Sequence, residues 1–130
     1  MIEVKRKTRT IIVNNNKYVW WCKFYDKKSA IIISPIQDKT AMVTIEFSSN
    51  ISCLEHDDIH AIGNYPEYLT IKKDGIECRI KTIEPKMVSM MLNQLTDTVF
   101  QSRQNVIIDG IKTVIDIGYS ITKIEMGVYW

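Results

Sequence analysis

The sequence predicts an α+β domain: a mainly antiparallel sheet, with one main amphipathic helix at about residues 85–102 packed on a face. Three observations carry this expectation. Four short runs rich in β-branched and aromatic residues lie at about ten-residue spacing between Thr10 and Phe47, as in an antiparallel meander. Asp74-Gly75 falls between two such runs, and Asp-Gly fits the type I′ turn that matches strand twist. From Val88 onward, Met91, Leu92, Leu95, Val99 and Phe100 recur at three- and four-residue steps, which puts them on one helical stripe.

The elements follow in order. Thr10 to Val13 is β-branched and apolar, and Asn14-Asn15-Asn16 after it is a turn cluster, because Asn tolerates left-handed backbone angles. Lys17 to Tyr25 alternates with period two, Tyr18, Trp20, Cys22 and Phe24 against Val19, Trp21, Lys23 and Tyr25. Asp26 to Ser29 reads as a turn and Ala30 to Ser34 as a third strand, stopped by Pro35. Thr40 to Phe47 alternates again. Ser52-Cys53-Leu54-Glu55 has the form of a capping box, and Gly63-Asn64 would end the short helix it starts, at about 53–62. Tyr68 to Lys73 and Ile76 to Ile83 form the Asp74-Gly75 hairpin, and Pro85 sits at a first helical position. Val106 to Ile108, Asp109-Gly110 and Ile111 to Ile117 read as a second hairpin. A continuous helix over 106–117 is the alternative, weakened by Gly110 and by the β-branched residues after it. Ser120 to Trp130 reads as a last strand. No linker or repeat divides residues 1–130, so a single domain is expected.

Hydrophobic residues are 45% of the chain and charged residues 25%, values that exclude a disordered or fibrous protein. No apolar run approaches the roughly 18–20 residues of a membrane span, and Ile11 to Val13 is too short for a signal-peptide core. Cys22, Cys53 and Cys78 are odd in number and unpaired in spacing, which points to reduced thiols and a cytoplasmic location. The net charge of +2 hides an asymmetry. Residues 1–45 hold nine Lys/Arg against three Asp/Glu, whereas 46–70 hold no Lys or Arg and five acids.

Those acids, Glu46, Glu55, Asp57, Asp58 and Glu67, form the first candidate site. A stretch without positive charge attracts a basic partner, and long insertions are often functional. The leading expectation is a non-enzymatic protein-binding module, of the kind exemplified by immunity proteins that neutralise toxins, with no cofactor. The alternative is a small nucleic-acid-binding domain. Lys5, Arg6, Lys7 and Arg9 make a basic arm, and Trp21 and Tyr25 flank Lys23 in an arrangement able to stack bases and hold a phosphate. The plainer role for these aromatics is packing, with Trp20 and Phe24 in the core. A second alternative is metal binding through Cys53, His56 and His60, since an i, i+4 histidine pair shares one helical face. His56-Asp57-Asp58-Ile59-His60 lacks the glutamate that follows the first histidine in metallopeptidase helices, which weighs against the catalytic version of that idea. No glycine-rich phosphate loop and no nucleophile elbow is present in the sequence.

Arg9-Thr10-Ile11-Ile12-Val13, followed after four residues by Tyr18-Val19-Trp20-Trp21, resembles the opening hairpin of small uncharacterised bacterial proteins, and Ile83 to Val88 resembles the start of their helix. The resemblance covers about a third of the chain, implies the same strand-plus-helix layout and carries no activity.

Overall fold

The computed structural model describes residues 8–25, 27–48, 65–95 and 97–127. Among them are eight strands: β1 (Arg9–Val13), β2 (Asn16–Tyr25), β3 (Lys28–Pro35), β4 (Met42–Ser48), β5 (Tyr65–Lys73), β6 (Ile76–Lys81), β7 (Asn105–Asp109) and β8 (Ser120–Gly127). Two α-helices, α1 (Pro85–Gln94) and α2 (Gly110–Ile117), complete the α+β fold. The strands form two sheets, one of five strands in the order β1-β2-β3-β4-β7 and one of three in the order β6-β5-β8. All pairs are antiparallel except β4–β7, which is parallel.

Local chemistry explains the hairpins. Asn14 and Asn15 have φ of 53° and 65°, and Asp74 and Gly75 have 53° and 77°. Positive φ at both central positions is the type I′ geometry whose twist matches that of the flanking strands, and Asn, Asp and Gly reach it at least cost. Both turns lie where the sequence predicts them.

The inner faces of both sheets and the apolar stripes of both helices meet in one core. Ile31, Ile33, Val43, Ile45 and Phe47 come from the larger sheet, and Leu69, Ile71, Ile80, Ile121 and Ile124 from the smaller. Met87, Val88, Met91 and Leu92 of α1 and Ile111 and Val114 of α2 fill the space around them. The antiparallel sheet expected from the sequence is therefore split in two, and its strands face a shared interior.

Two expectations are corrected. The helix predicted over 85–102 ends at Gln94: Leu95 turns to an extended conformation (φ −80°, ψ 136°), and Asp97–Val99 forms a single 3-10 turn. Val99 and Phe100 still pack against the core, but from this irregular segment, with the Phe100 ring centroid 5.5 Å from that of Tyr18. The stripe is real although the helix beneath it stops early, because Thr96-Asp97-Thr98-Val99 is a run of poor helix formers.

The hairpin predicted across Asp109-Gly110 is instead a strand followed by a helix. Asp109 is the N-cap of α2, and its side chain accepts from the Lys112 amide at 3.1 Å. Gly110 is absent from the positive-φ residues, so no type I′ turn forms there. Gly118, with φ 113°, closes the helix in the left-handed conformation that glycine favours. The same Asp-Gly pair thus serves a turn at 74–75 and a helix start at 109–110, and only the packing of the next segment separates them. The helix expected at 53–62 and the end of the last strand, at 128–130, lie outside the described residues.

The loop between β3 and β4 is tied to the segment after α1. The Asp38 carboxylate accepts from the Thr40 amide at 3.0 Å and from its hydroxyl, while the Arg103 amide donates to Thr40 Oγ1 at 3.0 Å. Hydrogen bonds from Thr40 and then Ser102 hold the Asp38 carboxyl below its usual value. A depressed folded-state value stabilises the fold above the ordinary carboxylate range, and that contribution is lost as pH falls below about 4. Asp38→Asn should therefore flatten the acid limb of a plot of Tm against pH, while leaving the change in Tm between pH 6 and 8 as in the parent.

Candidate functional site

The site is built on the outer face of the five-stranded sheet. The pairing register sets Trp21, Ile32, Thr44 and Ile107 side by side across four strands. The next rung brings together Lys23, Ala30, Glu46 and Asp109. Because side chains alternate between faces, these residues point away from Phe47 and the core. On this face lies an open hollow of about 210 Å³, with Ile32 and Thr44 in its floor and Trp21, Met42 and Ile107 along its apolar walls.

Exposure is graded across this face. Ile32 and Thr44 are 5% exposed, Tyr25 41% and Ile107 63%. The floor is therefore buried and the rim is open. The Thr44 hydroxyl donates to Asn105 Oδ1 at 2.7 Å, so the polar group in the floor is satisfied. Lys28 pairs with Glu46 at 3.0 Å and also stands 5.1 Å from the centre of the Tyr25 ring. Lys23 is exposed beside that pair and lines the same hollow.

The outer face of the three-stranded sheet is built differently. The Arg79 guanidinium lies 3.6 Å from the Tyr68 ring centre and pairs with Glu125, which also meets Lys123 at 3.7 Å. Arg79 first, then Lys123, holds the Glu125 carboxyl below its usual value. That face is an ordinary solvated sheet surface, polar where the alternation requires it. The larger sheet departs from this pattern: β3 runs Ala30-Ile31-Ile32-Ile33 with every residue buried.

The candidates named from sequence fall in different places. Trp21, Lys23 and Tyr25 share the outer face and all line the hollow, as the period-two reading of β2 expects. Trp20 is buried in the core, and the Arg9 guanidinium stands 5.5 Å from its ring. Arg9 is therefore separated from Lys23 by the thickness of the sheet. Glu46 lies at the rim but in its ion pair with Lys28, so it is not a free acidic charge. Glu67 is on the other sheet, in β5, where it accepts from the Tyr65 hydroxyl at 3.2 Å. Burial, reinforced by Glu67, pushes the Tyr65 phenol up to about 12. Lys5, Arg6, Lys7, Cys53, Glu55, His56, Asp57, Asp58 and His60 lie outside the described residues. Among the described residues no cluster of three or more His, Cys, Asp or Glu is arranged to hold a metal ion. No described helix is long and apolar enough to cross a membrane.

Sequence reasoning missed Ile32, Met42, Thr44, Asn105 and Ile107. One signal was available, the four consecutive apolar residues of β3, which mark a strand with apolar surface on both sides. Ile107 could not be assigned while residues 106–117 were read as a hairpin, since its face depends on parallel pairing with β4.

Cys22 lies on the inner side of β2, half-buried, and burial pushes its thiol above the usual value despite the opposing pull of Arg9. With Cys53 and Cys78 changed to Ser, Cys22 should react with iodoacetamide several-fold more slowly at pH 7.5 than a free cysteine. Equal rates would mean that the thiol is neither shielded nor shifted.

Comparison with protein-family models, curated proteins and solved structures returned no match to this chain.

Proposed function

We propose that the chain is a non-enzymatic protein-binding module that receives an apolar anchor side chain of its partner in the hollow on the five-stranded sheet. The supporting observation is the combination of volume and lining: about 210 Å³, a floor of Ile32 and Thr44, apolar walls and a rim carrying Lys23, Glu46 and Asn105. Sites for small molecules usually enclose roughly 300–1,000 Å³. This hollow is nearer the size of one large side chain, and anchors of that kind dominate the energetics of protein interfaces. Trp21 and Tyr25 are residue types enriched in such hot spots.

The finer reading is a toxin-neutralising inhibitor in a reducing cytoplasm, its acidic stretch meeting a basic partner. It draws on the sequence: five acids and no Lys or Arg in 46–70, and three cysteines without paired spacing. The acidic stretch begins at Glu46, on the rim of the hollow. The nucleic-acid alternative has less support, because Lys28 already stands beside the Tyr25 ring and Arg9 belongs to the opposite face.

Affinity capture from the native host tests the reading with two variants. Lys23→Glu with Tyr25→Ala alters the rim, and Glu55, Asp57 and Asp58→Lys reverses the acidic stretch. A protein recovered by the parent and lost with the rim variant supports the hollow. Retention by the rim variant with loss on acidic reversal moves the interface to 46–70 and overturns the hollow. Salt-sensitive binding of a single-stranded oligonucleotide, abolished by the rim variant, would favour the nucleic-acid alternative instead.

A further inference from the structure

We propose that a second copy of this chain pairs with β7, edge to edge and antiparallel, to make one sheet that is continuous across a two-fold axis. Among the described residues β7 is the last strand of its sheet and pairs with β4 alone. On its other side no hydrogen bond joins the Asn105 or Ile107 backbone to a described residue, whereas the Asp109 carbonyl accepts from the Thr113 hydroxyl at 2.8 Å.

Exposed edges are normally blunted by charge, proline or cover. The other three edges follow that rule: β1 carries Arg9, β6 carries Glu77, Arg79 and Lys81, and β8 carries Lys123 and Glu125. β7 reads Asn-Val-Ile-Ile-Asp, with no Lys, Arg or Pro, and its Asp109 carboxylate is committed to capping α2. Ile107 at its centre is 63% exposed.

The strand is also self-complementary. Centred on Ile107, antiparallel pairing sets Ile107 opposite its own copy and Val106 opposite Ile108. Asn105 falls opposite Asp109, so no like charges meet. Directly opposed residues share a face, so both copies of Ile107 would lie on the outer side and bury each other. An isologous contact of this kind closes on itself and does not propagate into a fibre. The two hollows would then flank the axis on one continuous surface. Dimerisation does not depend on the hollow binding a partner, so either idea can fail alone.

Site-directed cross-linking reads this arrangement even when the dimer is weak. With Cys22, Cys53 and Cys78 changed to Ser, Ile107→Cys is compared with Ile12→Cys, which is equally open at 67% but lies on β1 at the opposite edge. Opposed residues across an antiparallel pair have Cα atoms about 4.5–5.5 Å apart, within the range that a disulfide spans. Under mild oxidation, Ile107→Cys should form covalent dimer at least tenfold faster than Ile12→Cys. Sedimentation should show dimer in the parent and monomer in Ile107→Lys, with matching circular dichroism spectra confirming the fold. Equal cross-linking at the two positions, or a parent that stays monomeric at high micromolar concentration, overturns the proposal.

Discussion

Replacing Phe47 by alanine will lower the free energy of unfolding by about 3–5 kcal/mol, read from urea titration of circular dichroism. Phe47 is fully buried near the end of β4, on the face opposite the hollow. Its ring reaches the first residue of α2, so it couples the larger sheet to the helix that follows β7. Truncation removes most of a large apolar side chain and leaves a cavity whose walls belong to different elements. Such walls collapse poorly, which places the expected loss in the upper part of the range for core truncations. A loss below about 1 kcal/mol would mean that α2 does not pack on this ring.

Gly110→Ala will destabilise by about 1–3 kcal/mol, although alanine is the better helix former. A Cβ at this position would meet three atoms of the Phe47 ring at 2.5, 2.7 and 2.9 Å. The far end of a flexible side chain could yield to such a contact, but this ring is enclosed by the core. The helix-propensity gain from Gly to Ala is at most about 1 kcal/mol and is smaller at a first turn, so the clash outweighs it. The effect should disappear when Phe47 is alanine, giving a double-mutant coupling above about 1 kcal/mol. If Asp109-Gly110 were a hairpin turn, the cost of Gly110→Ala would come from positive φ and would not depend on Phe47. The cycle therefore separates the strand-helix arrangement from the predicted hairpin.

The contrast between the two Asp-Gly pairs shows how far the sequence could be read. Turns at Asn14-Asn15 and Asp74-Gly75 were legible because each is decided by the backbone freedom of its own residues. β2 and β4 were legible from alternation, and β1 and β3 from their short β-branched, apolar runs. At Asp109-Gly110 local preferences are balanced, and the contact with Phe47, more than sixty residues away, belongs only to the helical outcome. The end of α1 was hidden for a related reason, since Val99 and Phe100 keep the helical spacing while reaching the core from a 3-10 turn and a loop. Part of the hollow was visible in Trp21, Lys23 and Tyr25, which alternate along one strand. The rest of its lining required the β3–β4–β7 register, and parallel pairing of β4 with β7 leaves no mark in either strand alone.

The face that carries the hollow departs from the rule that an outer sheet surface is polar, and the polar three-stranded sheet of the same molecule makes the departure plain. The most direct measurement is the affinity of the captured protein for the parent and for the Lys23→Glu, Tyr25→Ala variant, by calorimetry with both purified. Loss of an anchor contact of hot-spot strength, about 2 kcal/mol, corresponds to roughly a thirty-fold weaker Kd. A Kd within twofold of the parent, in a variant with unchanged Tm, would contradict a binding role for this face.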